Sequence, residues 1–120
     1  MSYKEKQLIF GSGGGFTGGT VETIILDNGQ VFRHNSLNEE IIELKKLKKK
    51  LTKEIFEKYY SLALNDMELN QPGDLYRYIK LKDENGVHTL MWGGDGRAKE
   101  NADLVSYFQY LKETIKNINP

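Results

Sequence analysis

The chain has 120 residues, 38% of them hydrophobic and 28% charged, with seventeen basic side chains balancing seventeen acidic ones. That length suits one domain around a single core, and a formal net charge of zero supplies no overall field to draw the protein to nucleic acid or an anionic membrane. Cysteine is absent, which excludes disulfides, thiolate zinc sites and cysteine nucleophiles.

No apolar run reaches the ~20 residues that span a bilayer. The opening MSYKEKQ is polar where a secretory leader would be apolar. The expectation is a cytoplasmic protein, or an exported one if an export signal has been removed.

Residues 3–10, YKEKQLIF, and 20–27, TVETIILD, are rich in β-branched and aromatic residues and predict strands. Asn28-Gly29 is the dipeptide of a two-residue hairpin turn with positive φ at both positions, joining the second strand to a third over residues 30–34. The glycine-rich segment GSGGGFTGG, Gly11–Gly19, is then the loop between the first two strands.

Ser36 followed by Glu39 reads as a capping box. Leu37, Ile41, Leu44, Leu47, Leu51, Ile55, Tyr59 and Leu62 recur at three and four residues. The spacing predicts a helix over 37–64, with a break near Lys50–Thr52 as the variant reading. Residues 70–74, NQPGD, form a loop. Strands over 75–82 and 87–92 flank the hairpin signal DENG, and 99–118 is a second helix with Leu104, Phe108, Leu111, Ile115 and Ile118 on one face. The sum is one α+β domain over residues 1–120, an antiparallel sheet of about five strands with two main helices packed on one face.

The glycine run does not carry the chemistry glycine runs often carry. A phosphate loop needs Lys-Ser or Lys-Thr and then a helix, and a dinucleotide fingerprint likewise opens a helix at the pyrophosphate. Here GGT enters the strand VETIIL, so no nucleotide is expected. Ser12 lacks the helix of a nucleophile elbow. His34 and His88 have no partner at metal-ligand spacing. WGGDGRAKEN lacks the alternating oxygen ligands of a calcium loop. Six lysines between positions 45 and 53 form a solvated face balanced by Glu40, Glu43, Glu54 and Glu57. No catalytic residue, metal site or cofactor is expected.

One resemblance bears on function. SGGGFTGGTVETIIL resembles the GGFAG-type signature of the emfourins, small inhibitors of thermolysin-like zinc metalloproteases of the protealysin group, and of related bacterial proteins. The match is Gly14-Gly15-Phe16-Thr17-Gly18. Farther on, Asp74, Tyr78 and His88 stand where that family has a loop, an Asp-x-x-x-Tyr strand and a histidine in the next hairpin. Thr17 replaces the usual alanine, an additional glycine precedes the motif, and the segment after the first hairpin is longer and richer in lysine. The resemblance implies a non-enzymatic protein-binding module, with Gly14, Gly15, Phe16, Thr17 and Gly18 entering a metalloprotease cleft. A competing reading is a small-ligand or envelope-associated domain, with the glycine loop as lid over an aromatic pocket of Tyr76, Tyr78 and Trp92.

Overall fold

In a computed structural model, which describes residues 6–14, 19–71, 75–93 and 102–117, the strand-forming segments assemble into one seven-stranded sheet. β1 (Gln7–Gly14), β2 (Thr20–Leu26), β3 (Val31–Asn35) and β4 (Glu40–Leu44) make an antiparallel meander. β5 (Leu69–Gln71), β6 (Leu75–Asp83) and β7 (Gly86–Gly93) follow. β6 pairs antiparallel with both β1 and β7, while β5 lies parallel to β7, giving the order β4-β3-β2-β1-β6-β7-β5. The helices are α1 (Lys49–Ser61) and α2 (Ala102–Lys116). The α+β class is the one expected, but the sheet is larger than five strands and mixed.

Side-chain alternation sorts the sheet into two unlike faces. Leu8 and Phe10 of β1, Ile25, Val31, Ile79, Leu81, Leu90 and Trp92 share one face and join a single core with Ile55, Phe56 and Tyr59 of α1 and Leu104, Tyr107, Phe108, Leu111 and Ile115 of α2. The stripe predicted on the last helix is thus buried, Ile118 lying outside the described residues. The Tyr107 hydroxyl donates to the Ile55 carbonyl at 2.7 Å and ties α2 to α1. Among the described residues, the opposite face contributes no side chain to this core.

The predicted helix over 37–64 is corrected over residues 37–48, and it ends at Ser61. Ser36 does not cap a helix: its hydroxyl accepts from the Thr20 amide at 2.7 Å and its amide donates back to the Thr20 carbonyl. Asn35 and Asn38 accept from the amides two residues on, at 3.0 and 2.9 Å, so the cap-like residues build a turn. Ile41 and Ile42, β-branched, then extend as β4 along the free edge of β3. Leu37 and Ile41, placed in the core by helical spacing, are 62% and 56% exposed. The helix starts at Lys49, near the break weighed for this segment.

Smaller differences have local causes. In the first hairpin Gly29 alone takes positive φ, 98°. Asn28 instead accepts from the Gln30 amide, and three residues cross between Leu26 and Gln30. A side chain at Gly29 would also strike the Leu47 carbonyl, whose own amide donates to the Gly29 carbonyl at 2.9 Å. Of the loop expected over 70–74, residues 70 and 71 belong to strand β5, which pairs with β7 and packs Leu69 against the core. The loop Gly11–Gly19 is shorter than expected, since Gly11–Gly14 belong to β1.

Candidate functional site

The β1–β2 ladder ends at the pair Gly13 and Thr20, and one further bond, Gly14 N–H to the Gly19 carbonyl at 3.2 Å, closes the root of the hairpin. Gly14 has φ of 95°. The root is crowded from both sides. A Cβ on Gly13 would lie 2.9 Å from the Tyr76 hydroxyl, and one on Gly19 would fall on the Leu37 side chain. Gly14, at positive φ, is the last residue of β1; Gly15, Phe16, Thr17 and Gly18 lie outside the described residues, as does Asp74.

Behind this root a polar chain crosses four strands on the open face. Gly11 of β1 is in register with Glu22 of β2 on one side and Tyr78 of β6 on the other. Because Gly11 has no side chain, the tyrosine reaches over it, and its hydroxyl donates to Glu22 Oε2 at 2.6 Å. A Cβ at Gly11 would fall on the Val21 carbonyl and 2.9 Å from Glu22 Cα, so the site requires glycine for close approach. Glu22 Oε1 lies 3.3 Å from His34 Nδ1, and His34 Nε2 lies 3.2 Å from Glu39 Oε2.

The electrostatics follow from these partners. The hydrogen bond to Glu39, then that to Glu22, raises the His34 pKa above its ordinary value, since carboxylates on both nitrogens favour the imidazolium. Burial, then the bond to the Glu22 carboxylate, pushes the Tyr78 hydroxyl up, which keeps it a neutral donor. Each ring nitrogen of His34 is engaged by a carboxylate. The carboxylates point at ring nitrogens and not at a common vacancy, and no group of three or more His, Asp or Glu fit to hold a metal occurs among the described residues.

His88 is on the other face, opposite Leu81. Its Nε2 lies 2.9 Å from the Met67 carbonyl, which can only accept, so Nε2 carries the proton and Nδ1 accepts from the Tyr59 hydroxyl. Trp92 is on that face too, edge-on to Phe108 with ring centroids 5.2 Å apart. Tyr76 and Tyr78 lie on the open face, 6.1 Å apart. These three aromatics share no pocket, which corrects the ligand pocket expected from them.

A cleft of about 1050 Å³ opens on the helix face beneath the hairpin root, between a floor of Ser12, Val21 and Thr23 and the C-terminal half of α2. Sequence reasoning missed it. The available signal was the alternation in VFRHN and LYRYIK, which puts Arg33 on the face of Val31 and Arg77 on that of Ile79.

A scan against protein-family models and a search of curated proteins both find no match for the chain. No helix among the described residues is long and apolar enough to cross a membrane.

Proposed function

We propose that the chain is a non-catalytic protein-binding module whose docking element is the tip of the β1–β2 hairpin. The observation that carries this reading is the braced root. The bond from Gly14 to Gly19, with Tyr76 and Leu37 packed against the neighbouring glycines, gives the short tip a fixed base. Loops positioned by a rigid scaffold are common recognition elements. Both histidines have both ring nitrogens engaged, which also supports binding over catalysis.

In its finer form the reading makes the protein an inhibitor of a thermolysin-like zinc metalloprotease. Gly14, Gly15, Phe16, Thr17 and Gly18 would occupy the protease cleft, with the glycines allowing close backbone approach and Phe16 as anchor. This form rests on the resemblance of those five residues. Phe16→Ala is expected to leave the melting temperature near that of the parent while weakening inhibition by at least about 2 kcal/mol. Thermal melts and inhibition constants against such a protease provide the test. A parent chain that does not bind at micromolar concentration removes the inhibitor reading. Parent-like inhibition by the variant removes Phe16 as anchor, and a large drop in melting temperature makes it a core residue.

A further inference from the structure

The cleft on the helix face has a charge the whole chain does not. Formal net charge is zero over the sequence, yet among the described residues the charged lining is Arg33, Arg77, Lys112 and Lys116 against Glu113 alone. Glu113 accepts from Gln109 on its own helix at 3.0 Å. The cations come from three elements: Arg33 from β3, Arg77 from β6, and the two lysines from α2.

Their spacing defines the shape of what they would hold. β2 and β1 lie between β3 and β6, so the arginines flank a floor roughly 14 Å wide at three strand spacings. Arg33 is in register with Thr23 and Arg77 with Ser12, short side chains that leave the floor low between them. Lys112 and Lys116 are one helical turn apart, about 6 Å along the axis. Four cations spread over both walls do not converge on one point, as a single phosphate would require. Apolar groups lie among them: Phe10 and Val21 from the sheet, Phe108 and Ile115 from α2.

We propose that this cleft seats an extended acidic segment of a partner polypeptide. In an extended chain alternate residues advance about 6.6 Å on one side, close to the step between Lys112 and Lys116. Carboxylates at alternate positions on one side would meet Lys112 and Lys116; on the other side, acids flanking an apolar residue would meet Arg33 and Arg77, with the apolar side chain on the exposed Val21 of the floor. The match is of charge and of period, and it does not depend on Phe16 or on the tip.

The probe is a fluorescein-labelled peptide of three Glu-Glu-Glu-Leu repeats, followed by anisotropy with the full chain. Binding is expected to weaken at least tenfold in the double variant Arg77→Gln/Lys112→Gln, and to fall as salt rises from 50 to 300 mM. Lys80→Gln/Lys82→Gln removes the same charge from the open face and is expected to leave binding unchanged, as is Phe16→Ala. Arg77, Lys112, Lys80 and Lys82 lie at the surface or near it, and a parent-like melt for each variant confirms folding. Equal loss in the open-face variant overturns the proposal, because it reduces binding to general charge. So does equal binding of the peptide with glutamine in place of glutamate. Tighter binding of pyrophosphate or of a single-stranded RNA oligonucleotide than of the peptide also overturns it.

Discussion

His88 lies on the helix-covered face of the sheet and His34 on the open one, and both have their two ring nitrogens engaged. Beneath the helices the partners are a neutral hydroxyl and a carbonyl; a neutral imidazole satisfies both, and no charge has to leave water. On the open face the partners are carboxylates, and the arrangement favours a charged ring. Both rings are partly buried, so the charge of the partners separates the two cases. Carboxylates on both nitrogens stabilise the protonated ring, whereas a hydroxyl and a carbonyl do not. The same difference separates two buried tyrosines, Tyr59, whose hydroxyl meets a histidine nitrogen, and Tyr78, whose hydroxyl reaches across a glycine to an acid.

Perturbing the covered face should have the largest effect. Leu111 is fully buried among the core residues, and Leu111→Ala is expected to destabilise the protein by about 2–5 kcal/mol in chemical denaturation. An unchanged midpoint would contradict a one-sided core. Tyr59→Phe sharpens the comparison. It leaves His88 Nδ1 without a donor, and the other tautomer cannot compensate because Nε2–H serves the Met67 carbonyl. The expected cost is about 1–3 kcal/mol, from a partly buried ring nitrogen left without its donor.

Tyr78→Phe is the counterpart on the open face. Glu22 keeps access to water and to His34, so the loss is expected near 1 kcal/mol, below that for Tyr59→Phe in the same assay. A reversed order would show that the covered face is wetter than described.

The smallest effect is that of pH. The folded-state pKa of His34 lies above its unfolded value near 6.5. Its contribution to stability is therefore complete below about pH 6.5 and is lost as pH rises through the raised value. Denaturation midpoints between pH 5 and 9 should decline across that window in the parent and less in His34→Gln. A proton NMR titration giving His34 an ordinary pKa would break the contrast between the faces.

The legible parts of the sequence were those whose signals are local. The Asn28-Gly29 and DENG turns sit beside alternating strands, and the stripe from Leu104 to Ile115 needs only helical period to be read. The segment from Ser36 to Leu44 failed because its signals serve two structures. Ser36, Asn35 and Asn38 carry oxygens that cap a helix or close a turn, and the free edge of β3 decided between them. β5 forms through pairing with β7 and contact of Leu69 with the core, which no local pattern announces. Of the candidate tip, the sequence supplied the glycines. The brace from Tyr76 and Leu37 is a contact among distant segments. The cationic cleft was hidden for the same reason: a count of arginines does not say that β3 and β6 aim two of them over one floor.

The position of β1 at the centre of the sheet has a consequence for how the chain reaches its structure. Its hairpin with β2 is close in sequence and can form early, but its other edge must await β6, and the bond from Tyr78 to Glu22 joins residues 56 apart. Closing that distance should dominate the folding time, because the entropy of the long excursion through α1 is lost before the ladder forms. Until then β1 offers an unpaired apolar edge, and the β6 of another copy satisfies it as well as its own. Refolding at high protein concentration should therefore yield exchanged dimers, with β6 and β7 donated between chains, which dilution during refolding suppresses.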